Sequence, residues 1–156
     1  ATVQVNIETP VAPTKGEKLA TPRPVVVPIL RAGLGMLEGI VKLLPSATVG
    51  FLGIKRDEKT LLPETYANRL PEDLSGRQVF IIDPMLATGN SSAAAIDLLK
   101  QSGAKNIRFL CLLAAPEGVQ RMKEAHPDVP IVTASVDSHL NEKGYEIWTE
   151  IFKTYF

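Results

Sequence analysis

V-F-I-I-D-P-M-L-A-T-G-N-S, from Val79 to Ser91, runs four apolar residues into an acid and a short irregular stretch. It then opens into Ser92-Ala93-Ala94-Ala95-Ile96-Asp97-Leu98-Leu99. The apolar run reads as a buried parallel strand and the Ala/Leu-rich run as a helix. The loop between them is made of small and hydroxylated residues at a helix N-terminus. There the first-turn N–H groups lack intrahelical partners and the helix dipole is positive, so a phosphate can supply the missing acceptors. Gly89 lets the backbone come close, and Thr88, Ser91 and Ser92 offer hydroxyl donors. Asp83, at the carboxyl end of the strand, would repel a phosphate but accept hydrogen bonds from vicinal sugar hydroxyls. An acid on one side and an anion nest on the other fit a ribose 5-phosphate.

Outward from this stretch, apolar runs alternate with helical patterns, which favours an α/β fold with a mostly parallel sheet covered by helices on both faces. Strands are expected at Pro24 to Leu30, Thr48 to Ile54, Gln78 to Ile82, Asn106 to Ala114 and Ile131 to Val136. Helices are expected at Gly35 to Leu44, ended by Pro45, at Ser92 to Ser102 with Gly103 as C-cap, and at Glu117 to Glu124. Lys55 to Thr65 reads as a polar excursion and Tyr66 to Pro71 as a returning hairpin arm. The first residues, with Pro10, Pro13, Gly16 and Pro22, read as an arm or short hairpin before the core.

In open parallel sheets the site lies at the carboxyl ends of the strands. Three strands end there in candidate groups: Leu30 runs into Arg31-Ala32-Gly33, Ile54 into Lys55-Arg56-Asp57, and Ile82 into Asp83. Arginine matches the oxygens of a pyrophosphate with two parallel hydrogen bonds.

Length and charge set bounds. A chain of 156 residues is expected to form one domain, and a domain of this size buries about 70% of the surface its unfolded chain exposes. Lys+Arg 17 against Asp+Glu 17 leaves zero net charge, which argues against broad attraction to nucleic acid or an anionic membrane. The single cysteine, Cys111, lies in an apolar run and is expected to be a buried thiol. No secretory leader or membrane span is visible, so a cytoplasmic location is the default. His126 and His139 lack ligand spacing, and a surface or turn role beside Asp128 and Asp137 is expected rather than a metal site. Tyr66 is expected to pack in the core, and Asp97 and Lys100 to lie on a solvated helix face.

P-I-L-R-A-G-L-G-M (Pro28 to Met36), D-P-M-L-A-T-G (Asp83 to Gly89), A-A-P-E-G-V (Ala114 to Val119), A-H-P-D-V (Ala125 to Val129) and L-N-E-K-G-Y (Leu140 to Tyr145) together resemble the uracil phosphoribosyltransferase family of type I phosphoribosyltransferases. Their order and spacing are also the family's, over roughly Val3 to Tyr145. The resemblance implies a Rossmann-like phosphoribosyltransferase core with a short β arm. Residues 1–23 would be the arm, 24–145 the core and 146–156 an atypical tail of one domain.

The implied reaction transfers a 5-phosphoribosyl group from phosphoribosyl pyrophosphate (PRPP) to uracil, giving uridine monophosphate (UMP) and pyrophosphate in pyrimidine salvage. PRPP would be held by Arg31, Arg56, Asp83, Pro84, Met85, Leu86, Ala87, Thr88, Gly89, Asn90 and Ser91. The resemblance also implies Mg2+ arriving with PRPP rather than in a dedicated protein site, and a homo-oligomer, dimer or higher. No general base is assigned.

Two departures stand out. Asn90 occupies the place of a second family glycine, although asparagine tolerates left-handed backbone better than other side chains. After Gly-Tyr the family continues with Pro-Gly and Gly-Asp-Ala-Gly-Asp, which reads the pyrimidine edge; here Tyr145 is followed by E-I-W-T-E-I-F-K-T-Y-F. Helices that precede the arm in the family are not seen either, so the sequence reads as shortened at its start and altered at its end. Glu146 is the nucleobase-contact candidate by position. These departures keep two alternatives open: a PRPP-binding or regulatory module without transferase activity, and an RNA-binding pyrimidine attenuator, against which zero net charge counts.

Overall fold

Val25, Val26 and Val27 are all fully buried, as expected of a β-branched strand covered on both faces. They belong to β3 (Val25–Leu30), the middle of the main sheet. The structure, a computed structural model, describes residues 2–56 and 63–136. Before β3 come β1 (Thr2–Glu8) and β2 (Pro13–Leu19), an antiparallel pair forming a separate two-stranded sheet. This is the expected hairpin arm.

After β3 follow α1 (Leu34–Leu43), β4 (Thr48–Val49), β5 (Phe51–Arg56), β6 (Pro63–Arg69), β7 (Gln78–Ile82) and β8 (Met85–Leu86). Then come α2 (Asn90–Gln101), β9 (Asn106–Ala114), α3 (Pro116–Ala125) and β10 (Ile131–Val136). The sheet order is β10-β9-β7-β3-β5-β6, with β4 pairing to β3 and β8 to β9. Within this sheet all pairings are parallel except β5 with β6.

Chain direction explains the layering. The path β3–α1–β5 steps one way along the sheet, and β7–α2–β9 steps the other. Right-handed crossovers therefore put α1 and α2 on opposite faces. Burial agrees. Val25, Val27, Ile29, Val79, Ile81 and Phe109 pack in one cluster with Ala95, Ile96 and Leu99 of α2 and Met122 of α3. Val26 and Ile82 are equally buried but lie outside that cluster, on the α1 side.

Three expectations need correction. The strand expected from Thr48 to Ile54 is two segments separated at Gly50, whose N–H donates to the Val26 carbonyl at 2.9 Å. Part of the polar excursion is strand, because Lys55 and Arg56 continue β5 in antiparallel register with Glu64 and Pro63 of β6. Tyr66 is not a core residue: it is 48% exposed on β6, with its ring lying against Gly53 of β5.

The histidine reading also changes. His126, at the C-cap of α3, is buried. Its Nε2 lies 3.1 Å from the Ala93 carbonyl oxygen and 3.5 Å from Asp97, and Lys100 Nζ approaches its Nδ1 at 3.2 Å. The ammonium can only donate, so Nδ1 accepts and Nε2 carries the proton. Lys100, which also pairs with Asp128 at 2.7 Å, is therefore part of a tie between α2 and α3 and not a free solvated group. Asp97 is exposed and Cys111 is buried, both as expected. His139 lies outside the described residues.

Candidate functional site

The order of strands makes the site. At β3 the chain goes right to β5 by way of α1, and the strand on its left, β7, leads on to β9, so the carboxyl ends of β3 and β7 flank the point where winding reverses. Ligands of open α/β sheets bind in the crevice at such a point. Pro28 of β3 is in register with Ile82 of β7, and Leu30 with Gly53 of β5. The residues just beyond these strands therefore share one edge: Arg31, Asp83, and the end of β5 at Arg56. They are distant in sequence and are brought together only by pairing.

Arg31 is exposed at the start of a tight turn. Gly33 N–H donates back to the Ile29 carbonyl at 2.9 Å and Leu34 N–H to the Arg31 carbonyl at 3.1 Å. The Leu30–Arg31 peptide is cis. Arg56 closes β5; its side chain lies outside what is described.

Asp83 follows β7 directly, and its N–H donates to the Leu110 carbonyl at 3.1 Å. Burial pushes its carboxyl up to about 6, partly offset by a hydrogen bond from the Met85 N–H. The loop beyond it is stitched to β9. Leu112 and Leu113 N–H groups donate to the Pro84 carbonyl at 3.0 and 3.1 Å, and Ala115 N–H to the Leu86 carbonyl at 2.8 Å. Leu86 is fully buried, and Pro84, Met85 and Ala87 are half-buried. These four build a rigid shelf, and any contact Leu86 makes to a ligand is through its backbone.

The shelf ends at α2. Gly89 precedes the helix with φ +77°, a left-handed conformation that glycine adopts without strain. No side chain caps the helix and no acid lies in its first turn. Its N-terminal donors therefore meet no capping side chain and no acid from the helix's own first turn. Thr88 is exposed, Asn90 and Ser91 are half-buried, and Ser92 is buried. A nest for one phosphate thus stands beside a carboxylate suited to sugar hydroxyls.

Two residues of α3 complete the loop and were not singled out from sequence. A Cβ on Gly118 would run into the Ala87 carbonyl oxygen and lie 2.9 Å from that of Leu86. The first turn of α3 therefore presses directly on the shelf. Arg121, one turn on, donates from Nε to Asn90 Oδ1 at 3.4 Å. A glycine in an early helical turn, where it is costly, was the available signal for the first; nothing local marked the second.

The family model for uracil phosphoribosyltransferase matches residues 1–148. The chain belongs to the uracil phosphoribosyltransferase family. It is 63% identical over 143 residues to a protein named uracil phosphoribosyltransferase from Streptomyces griseus, covering 90% of this chain and 68% of that one. A protein of the same name from Lactiplantibacillus plantarum is 54% identical over 141 residues, covering 90% and 68%. The chain thus spans about two thirds of the length of these relatives.

Among solved structures, a protein from Aquifex aeolicus superposes with a TM-score of 0.75 at 41% identity, covering 92% of this chain and 69% of that one. A purine phosphoribosyltransferase from Pyrococcus horikoshii superposes with a TM-score of 0.58 at 21% identity, covering 76% and 80%, and shows the common fold. Among the described residues no helix is long and apolar enough to cross a membrane, and no group of three or more His, Cys, Asp or Glu could hold a metal ion.

The nest carries a direct test. Thr88→Ala or Ser91→Ala is expected to weaken binding of PRPP by about 1.5–3 kcal/mol, the range for hydrogen bonds to charged groups, with folding nearly unchanged. Equal calorimetric affinity of wild type and Thr88→Ala would remove the hydroxyl from the site.

Proposed function

We propose that this chain transfers the 5-phosphoribosyl group of PRPP to uracil, forming UMP and releasing pyrophosphate. The observation that carries this reading is the meeting of Arg31, Asp83 and the uncapped α2 N-terminus at one sheet edge, in a chain of this family. The bond from the anomeric carbon to pyrophosphate breaks as the bond to a uracil ring nitrogen forms, and that nitrogen releases its proton to solvent. Positive charge develops on the ribose as the leaving group departs. Fixing the sugar and neutralising pyrophosphate therefore lower the barrier.

In this reading Asp83 accepts from the ribose hydroxyls, Thr88 to Ser92 hold the 5-phosphate, and Arg31 and Arg56 hold the pyrophosphate. Phosphoribosyltransferases generally use Mg2+ with PRPP. That ion keeps several waters and takes one or two carboxylates plus substrate phosphates, so a lone Asp83 beside a bound PRPP fits it, whereas an all-protein cage does not. The ion supplies charge neutralisation on the pyrophosphate. Residues 1–23 serve as an arm, 24–145 as the core and 146–156 as a tail of a single cytoplasmic domain. Glu146, the nucleobase candidate, lies outside the described residues. The exposed apolar side chains of the arm, Val3, Ile7 and Val11, favour a homo-oligomer.

Pyrophosphate release from PRPP with and without uracil tests the reading. Uracil-dependent release is expected. PRPP binding with no such release would instead leave a PRPP-binding module, the reading that the sequence after Tyr145 favours. Retention on a pyrimidine-operon leader RNA would point to the attenuator.

Arg31→Lys separates the two anion sites. It keeps the charge and loses the two-pronged geometry, so PRPP affinity should fall while ribose 5-phosphate affinity does not. Equal weakening of both ligands would make Arg31 a support of the fold.

A further inference from the structure

Arg121 brings its guanidinium to the edge of the phosphate loop. Its stem lies against Gly89, where a Cβ would sit 3.2 Å from both Arg121 Cβ and Cγ. Its Nε donates to Asn90 Oδ1 at 3.4 Å. None of the ion pairs among the described residues involves Arg121. A guanidinium has five N–H donors, and Arg121 is exposed. Among the described residues its remaining donors thus have no ion-pair partner, and they stand beside the α2 N-terminus, which has neither side-chain cap nor first-turn acid of its own to compete for an anion.

We infer that Arg121, steered by Asn90, is a further binding residue for the 5-phosphate of the phosphoribosyl ligand. The inference rests on the PRPP reading above. Asn90 stands where the resembled family has glycine, and a glycine offers no side-chain oxygen to orient a guanidinium. The departure at Asn90 and the arginine one helix away thus form one device: a neutral acceptor holds the cation without cancelling its charge. An aspartate at position 90 would hold it more tightly but would place a negative charge on the nest. A charge-assisted contact from Arg121 adds to the backbone donors most strongly when the phosphate is doubly ionised.

The test is calorimetric titration of the full chain with ribose 5-phosphate, using Arg121→Ala, Arg121→Lys, Asn90→Gly and the double variant Asn90→Gly/Arg121→Ala. Arg121→Ala is expected to weaken binding about tenfold at pH 8, near the lower bound for a hydrogen bond to a charged group. The loss should be clearly smaller at pH 5, where the phosphate, with a second pKa near 6, carries about one charge instead of two. Arg121→Lys should recover part of the affinity. Asn90→Gly should remove most of the effect of Arg121→Ala, so that the double variant is scarcely weaker than either single one.

A distorted loop would weaken both charge states alike and would not be rescued by lysine, and that outcome overturns the inference. So does wild-type affinity in Arg121→Ala, or full additivity of the two substitutions. If the wild-type chain binds no ribose 5-phosphate, the PRPP reading falls and this inference falls with it; binding by the wild type with no effect of Arg121→Ala defeats the inference alone.

Discussion

Asp83→Asn is expected to stabilise the fold at pH 8 while weakening the hold on PRPP. Burial raises the Asp83 carboxyl from 3.8 to about 6, so ionising it in the folded chain costs more than in the unfolded one. A shift of this size corresponds to about 3 kcal/mol, and the carboxyl keeps partial contact with water, which lowers the figure to about 1–3 kcal/mol. The sign follows from linkage. A raised acid pKa means that the folded state binds the proton more tightly, so its stabilising contribution is complete below about 4 and is lost as pH rises through about 6.

At pH 8 the wild type carries the full burden of a buried carboxylate and the asparagine variant does not. Urea unfolding at pH 8 and at pH 5 should show the advantage of Asp83→Asn shrinking towards acid. Binding should move the other way. Exchanging a charged acceptor for a neutral one costs about 1–2 kcal/mol in hydrogen bonding to the ribose hydroxyls, and wild-type PRPP affinity should itself decline below about pH 6. Identical unfolding midpoints at pH 8 would mean that the carboxyl is better solvated than its place at the strand end indicates.

Gly118→Ala is expected to damage binding and stability together. The new methyl would press on the Ala87 and Leu86 carbonyl oxygens, and those belong to a backbone already tied to β9 through the Pro84 and Leu86 carbonyls. Neither side can move cheaply. Overpacking of this kind costs about 1–3 kcal/mol, and any relief shifts the shelf that leads into Thr88 and Gly89, so PRPP affinity should drop by at least tenfold, the equivalent of about 1.4 kcal/mol. Gly39→Ala is the control. It lies inside α1 with nothing within 4 Å of an added Cβ, and there alanine should stabilise by about 0.5–1 kcal/mol. Chemical denaturation and PRPP titration of the two variants would read both effects; wild-type affinity in Gly118→Ala would show that α3 does not position the loop.

Much of the site was legible before any tertiary structure. The run from Val79 to Ser91 declares a strand, an acid and a helix start through local patterns alone, and all three occur as read. The α3 contribution was not legible. Gly118 acts on Ala87 and Leu86, some thirty positions back in the chain, and Arg121 acts on Asn90. Neither contact leaves a periodicity. His126 was misread for the same reason: an isolated histidine before proline has no local mark of burial, and its burial comes from α2 packing across α3.

What the amino-acid sequence determined by itself is the kind and order of the elements, because apolar period, helix capping and turn chemistry act over a few residues. It also supplied the chemical types at the strand ends, Arg31, Arg56 and Asp83, and the hydroxyl-rich loop. Only the tertiary structure decided that β3 lies between β5 and β7, which puts Arg31 and Asp83 at one edge. It alone decided that β5 continues to Arg56 under the pairing of β6, and that Asp83 is buried enough to resist ionisation. The reason is physical: strand neighbours, burial and close approach depend on surfaces contributed by distant segments, and no window of sequence contains both sides of such a contact.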